Sequence, residues 1–259
     1  TELRKRVILS LLSVVACSSL AFAFYDPLIS IISEPFQRLQ LSSDLPGRLF
    51  VNSVTEGFLV RVRVSLLSGV VLALPAVIYH VLRFVFPGLT AGERRVTAGA
   101  IVGGFILAVG AFYYSYTQIL PISLDFLTAG DFIPEDVGVL LNFRTSISFV
   151  LQILLIAVIL FQLPIVLLVL LKLELIDTAG AFRAGPYVVV ILLALSAVLT
   201  PPDIVSQIGL TLPLAVLYFL SIGVAAVFRV GGGRRDRRSG GSRQNRDARG
   251  GDERSGESE

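Results

Sequence analysis

The chain has 259 residues, of which 54% are hydrophobic and only 16% charged, with a formal net charge of +3 and a mean hydropathy of +0.80. Soluble domains carry about 25% charged residues, so an ordinary soluble domain is excluded. Nearly all the charge falls outside a handful of apolar blocks, which is how a bilayer sorts a chain. The isoelectric point near 9.2 comes largely from arginines in the tail and loops. Those arginines read as topology signals rather than nucleic-acid contacts. Cys17, the one cysteine, has no internal disulfide partner. Methionine is absent, position 1 included, so the initiator and further residues are expected to precede Thr1.

Crossing about 30 Å of hydrocarbon takes about 20 apolar residues as helix. The run from Val7 to about Ile31 meets this and is too long, and too well followed by other blocks, for a cleaved signal peptide. Arg4-Lys5-Arg6 before it holds the N-terminus inside the cell. Residues 32–57 read as an external loop with a short surface helix near Glu34–Gln40. Helix two, about Leu59–Val85, begins with Arg61 and Arg63, whose side chains can reach the headgroups, and should kink at Pro75. The stretch Phe84–Arg95 then turns the chain inside. Helix three, about Val96–Leu120, carries Gly99 and Gly103 in a GxxxG pattern for close helix approach. Phe112, Tyr113, Tyr114 and Tyr116 suit an interfacial belt near its outer end.

An acidic external loop, 121–146, leads to helix four, Asn142–Leu171, interrupted by Gln152, Gln162 and Pro164. Lys172 to Gly185 reads as an inner connection. Helix five, about Pro186–Leu199, is too short to cross unless the membrane thins. Thr200-Pro201-Pro202-Asp203 turns the chain outside, and helix six, about Ile204–Phe228, returns it. About 17 lysines and arginines fall on the proposed inner side against about 5 outside, which supports six spans with both termini cytoplasmic. The domain plan is a membrane domain, 1–229, and a disordered tail, 230–259, rich in Arg, Gly, Asp and Glu. No strand pattern and no internal repeat is visible.

Catalytic chemistry is scarce. His80 is the sole histidine, no Cys/His cluster exists and no phosphate-binding loop is present, so neither a metal, a cofactor nor an enzymatic activity is expected. The polar residues of the spans say more. Gln162 falls mid-helix, where it either bonds another helix of the bundle or meets a substrate or partner helix. Gln207, near Thr200 and Asp203, belongs to a polar group that either caps a helix or receives another membrane helix. Glu93 with Arg94-Arg95 either complements a helix dipole or binds a basic peptide by charge-assisted hydrogen bonds.

Several motifs then occur in one order. They are Glu2-Leu3-Arg4-Lys5-Arg6, Glu56-Gly57-Phe58, Phe84-x-x-Pro87-Gly88-Leu89 with Glu93-Arg94-Arg95, Phe161-Gln162-Leu163-Pro164, and Thr200-Pro201-Pro202-Asp203-x-x-Ser206-Gln207. This set resembles the TatC family, the six-span core subunits of the twin-arginine protein translocase, over about residues 1–228. The resemblance implies an all-α, glove-shaped bundle in the cytoplasmic membrane that recognises folded cargo by its twin-arginine signal peptide. It implies transport driven by the proton-motive force, within an oligomeric complex with TatA-like and TatB-like single-span partners. Signal-peptide binding would fall on Glu2, Leu3, Arg4, Phe84, Pro87, Gly88, Leu89, Glu93, Arg94 and Arg95. Gln162 would face the concave side, and Thr200, Asp203 and Gln207 would meet the partner helices.

Three positions depart from the family pattern. No histidine precedes Glu2-Leu3-Arg4, and Val54-Thr55 stands where a proline is often found. Gln162 replaces a glutamate common in the family, so a protonation step at this position is not expected. The rival readings are a small-solute transporter or channel, against which the lack of inverted repeats stands, and a membrane-embedded enzyme.

Overall fold

The computed structural model describes residues 2–42, 49–85, 91–128, 141–172, 175–199 and 204–227. Helix α1 spans Glu2–Ala23 and α2 spans Tyr25–Ser42. The first apolar run therefore breaks at Phe24, short of Ile31, and the expected loop with a short surface helix is a longer helix. Asp26 and Pro27 explain the restart. An acid favours a first turn, and proline there forfeits only an amide that no helical carbonyl would accept.

Helix α3 runs Val54–Val85 and stays helical through Pro75. At 32 residues it is about 48 Å long, well over the hydrocarbon thickness. Helix α4, Ala91–Tyr114, passes into a π-helical turn, Ser115–Ile119, and then α5, Leu120–Thr128. Here Leu120 donates its amide to the Ser115 carbonyl, a five-residue spacing. Pro121 cannot donate to Thr117, and the widened turn absorbs the register change ahead of it. The third span thus extends into the segment read as an acidic loop; residues 129–140 lie outside the described residues.

Helix α6, Phe143–Leu160, and α7, Leu163–Lys172, share the fourth span, broken at Phe161–Gln162. Pro164 causes this break, since its missing amide leaves the Leu160 carbonyl unserved. Helix α8 is Thr178–Leu199 and α9 is Ile204–Val227. Helix five is therefore 22 residues, about 33 Å, and needs no thinned membrane. Pro186 lies inside it rather than at its start. Tyr218 donates from α9 to the Ala181 carbonyl at 2.8 Å in this region.

Six helical stretches are long and apolar enough to cross a membrane, matching the six expected spans. No sheet exists among the described residues, only an isolated bridge between Phe50 and Asn142. The most enclosed side chains lie on α6, where Val150, Ile153, Ala157 and Val158 are fully buried and the helix packs chiefly against α3 and α4. Helix α1 is the opposite case: Val7, Ile8, Leu11, Leu12 and Val15 are exposed. An apolar strip of that length facing outward belongs in lipid, so this is a multi-pass membrane protein.

Close approach is set by small residues. Gly69 of α3 lies against Ser18 of α1, where an added Cβ would collide with the Ser18 Cα and lie 2.5 Å from its nitrogen. The expected GxxxG contact is narrower than its pattern. Gly103 meets Ile165 and Gly104 meets Ile78 and Gln162, whereas Gly99 faces open space. The aromatic belt is likewise partial. Tyr113 is exposed, but Tyr114 donates to the Gly209 carbonyl and Tyr116 to Glu34 and the Ile31 carbonyl.

Candidate functional site

Ser18 lies beside Gly69, and Phe22 beside Arg61, so α1 and α3 run antiparallel. Fifteen residues back from Ser18 is Leu3, and fifteen forward from Gly69 is Phe84. Both are about 22 Å along their helices, which sets them level. Helix α4 begins just beyond α3, with Glu93, Arg94 and Arg95 in its opening turns. The backbone of Glu2, the exposed Leu3 and Arg4, the last turn of α3 at Phe84 and the first turns of α4 therefore share one end of the bundle. Pro87, Gly88 and Leu89 lie outside the described residues.

Between the ends, Gln162 sits in the helix break of the fourth span. Its amide nitrogen donates to the Gly104 and Val158 carbonyls at 3.3 and 3.2 Å. Its Oε1 is buried and accepts no hydrogen bond. Ile78, Val81, Ile165, Val166 and Val169 surround it in a groove of about 340 Å³ between α3 and α7. The alternative of a bond to another helix of the bundle is the one these contacts show. The nitrogen fastens α4 to the fourth span, and the buried oxygen remains an unused acceptor beside Gly104. In such surroundings an unpaired acceptor costs free energy until a donor arrives.

At the opposite end the residues form a clasp that sequence reasoning did not resolve. Phe50 donates to the Leu141 carbonyl at 2.9 Å, and Phe143 donates back to the Phe50 carbonyl at 2.8 Å. Glu56 is only 8% exposed. Its carboxylate accepts from the Asn52 amide at 2.8 Å and from the Asn142 side chain at 3.3 Å. Asn142 in turn caps α6 by accepting from Thr145 at 2.9 Å. One buried acid thereby joins the segment before α3 to the segment before α6. The motif Glu56-Gly57-Phe58 was visible in the sequence, but its partner Asn142 lies 86 residues away.

Glu56→Ala would leave the Asn52 amide without its acceptor and the Asn142 side chain with only the Phe50 carbonyl at 3.4 Å. Hydrogen bonds to a charged group contribute about 1.5–3 kcal/mol. Thermal unfolding of the detergent-purified variant is expected several degrees below the parent; a shift within one degree would show the clasp to be energetically idle.

The two arginines expected to reach headgroups behave differently. Arg61 turns to α1 and α2, donating to the Phe22 carbonyl at 3.4 Å and lying over the Phe22 and Tyr25 rings at 4.6 and 5.0 Å. Burial pushes the Tyr25 hydroxyl pKa upward; the Arg61 charge opposes this and Asp26 adds to it. Arg63 donates to the Ser148 hydroxyl on α6 at 2.9 Å.

Of the partner-contact residues, Thr200 and Asp203 lie outside the described residues. Gln207 donates to the Leu193 carbonyl at 2.9 Å, and Ser196 and Thr211 pair at 3.1 Å one turn further in. These bonds tie α8 to α9, so Gln207 is a rivet within the bundle whatever else it meets. Ser196 and Thr211 were missed because hydroxyls inside apolar helices give no pattern. His80 packs its ring edge-on to Tyr79 and its Nδ1 has no hydrogen-bond partner. Among the described residues no group of His, Cys, Asp and Glu could hold a metal.

The family profile described as "Sec-independent protein translocase protein (TatC)" matches residues 1–213. Among proteins of that name, one from Listeria innocua is 34% identical over 227 residues, covering 86% of this chain and 88% of its own. One from Aquifex aeolicus is 31% identical over 221 residues, covering 85% and 90%. One from Carboxydothermus hydrogenoformans is 30% identical over 224 residues, covering 86% and 89%. A crystal structure of the twin-arginine translocase receptor TatC superposes with a TM-score of 0.75 at 30% identity, covering 86% of this chain and 97% of its own. The six spans, the ordered motifs and these matches agree: the chain belongs to the TatC family, a core subunit of the Sec-independent translocase.

Proposed function

We propose that this chain is the twin-arginine signal-peptide receptor of a translocase that exports folded proteins across the cytoplasmic membrane, driven by the proton-motive force. The observation that carries the reading is the shared end of Glu2–Arg4, the close of α3 and Glu93. That end bears the Arg4-Lys5-Arg6 cluster and is the cytoplasmic one by the positive-inside rule. Glu93 is an acid at a helix start, and a carboxylate can take a guanidinium through two parallel hydrogen bonds that lysine cannot match. In this reading Phe84, Pro87, Gly88 and Leu89 shape the loop around Glu93, while Leu3, Arg94 and Arg95 flank it. The apolar groove beside Gln162 supplies a surface for the signal peptide's hydrophobic segment.

Inverted membrane vesicles containing the chain and its single-span partners test the activity. A folded reporter with an Arg-Arg signal should enter the lumen and stop entering when a protonophore is added. Entry that continues in the presence of protonophore would contradict the energetics. At the other end, Thr200, Asp203 and Gln207 are assigned to TatA-like or TatB-like single-span partners. Gln207→Leu should lower copurification of such a partner severalfold; an unchanged yield would confine Gln207 to riveting α8 to α9.

A further inference from the structure

Arg63 and Arg144 form a second basic site, at the end of the bundle opposite the signal-peptide reading. Both side chains are exposed. Arg63 spends one donor on Ser148, and Arg144 lies one turn before Ser148 on the same face of α6. Arg144 makes no hydrogen bond or ion pair among the described residues. Glu56, on the same stretch of α3, is buried in the clasp and occupied by Asn52 and Asn142. Two guanidinium groups on packed helices are thus left with most of their donors unused.

Their surroundings select the ligand. Arg63 lies between exposed Leu59 and Leu66, so it projects from an apolar wall rather than into a polar loop. Deeper on the same strips, Leu67 follows Arg63 by one turn, and Leu151 and Leu155 follow Ser148 by one and two turns. These leucines, with Leu28 and Ile31 of α2 and Phe112 of α4, line an apolar cavity of about 220 Å³. A cationic rim over an apolar cavity at the edge of the bilayer matches one molecule: a phosphate carrying acyl chains.

We infer that the cleft between α3 and α6 binds an anionic phospholipid of the leaflet at the Glu56 end. Its phosphate lies between Arg63 and Arg144 with Ser148 as a further donor, and an acyl chain enters the cavity lined by Leu67, Leu151 and Leu155. Guanidinium groups suit this role because their paired donors match phosphate oxygens, and basic clefts between membrane helices recognise lipid headgroups in this way. The bound lipid bridges the second and fourth spans at the level of the clasp, beside the Arg63–Ser148 hydrogen bond.

Native mass spectrometry of the detergent-purified full chain tests this, using phosphatidylglycerol and phosphatidylcholine of identical chains. The parent should retain phosphatidylglycerol at least fivefold over phosphatidylcholine, and the R63Q/R144Q double variant should lose that preference. Should the double variant fail to fold by circular dichroism, Arg144→Gln alone carries the test, with about half the loss expected. Equal retention of the two lipids by the parent would overturn the proposal, as would an undiminished preference in the variant. Millimolar inorganic phosphate displacing the lipid would mark a free-anion site instead. Neutralising Asp131, Glu135 and Asp136 should leave retention unchanged; a severalfold rise would assign the two arginines to that acidic loop.

Discussion

Replacing Glu93 with alanine is expected to lower capture of an Arg-Arg signal peptide at least tenfold. A charge-assisted hydrogen bond contributes about 1.5–3 kcal/mol, and 1.4 kcal/mol is a factor of ten in binding. Glu93→Gln retains an acceptor but not the charge, so an intermediate loss should follow. Glu93 also stands in the first turn of α4, where an acid favours the helix dipole by about 0.3–1 kcal/mol. The two roles separate cleanly. A dipole role alone predicts a slightly less stable protein with full capture, whereas a docking role predicts lost capture with unchanged thermal unfolding. Photocrosslinking from the α4 start, beside a melting curve, reads both.

The second large effect is expected far from that end. Gly69→Leu should displace α1, because even a Cβ at this position meets the Ser18 Cα and nitrogen as well as its hydroxyl, and the backbone atoms cannot swing away. The Ser18 hydroxyl bonds the Leu66 carbonyl at 3.5 Å across the same crossing. Helix α1 is otherwise exposed to lipid along most of its length, and α3 is its principal support. A helix moved at Ser18 carries Glu2–Arg4 with it, so capture of the signal peptide should fall severalfold although Glu93 is intact. Ser18→Gly removes the hydroxyl but leaves the Cα and nitrogen in the way, so it should not restore binding. Cysteine pairs bridging the two helices report the displacement. Parental crosslinking efficiency in Gly69→Leu would show that the helices reseat and that the glycine is dispensable.

What the sequence disclosed divides along physical lines. Composition and apolar runs located all six spans, since partition into hydrocarbon depends on local residue content alone. Helix ends were harder where proline acts in two ways. Pro186 read as a helix start but lies eight residues inside α8, and Pro121 is accommodated by the π-helical turn before it. Pro27 falls within the first apolar run, Val7 to about Ile31, and lies in the first turn of a new helix, α2. Each proline removes one amide, and which neighbour compensates is decided by tertiary packing.

Site residues follow the same division. Glu93 and Gln162 stood out because a charge or an amide in or beside an apolar run is conspicuous. Gln207 stood out too, but its bond to the Leu193 carbonyl did not, since that partner is a backbone atom on another helix. The clasp around Glu56 was half visible as a motif and half hidden in Asn142, which local reading sees only as the residue before α6. Arg63 looked like an isolated headgroup anchor, and only the packing of α3 against α6 brings it to the Arg144 and Ser148 strip of α6.

The central claim is that the end of the bundle bearing Glu2–Arg4 and Glu93 reads paired arginines. Its most direct test is photocrosslinking of the membrane-embedded protein, with probes at Leu3 and Glu93 neighbours, to signal peptides that differ only in Arg-Arg or Lys-Lys. The account predicts strong adducts with Arg-Arg and at least tenfold weaker ones with Lys-Lys. Equal capture of the two peptides would contradict it.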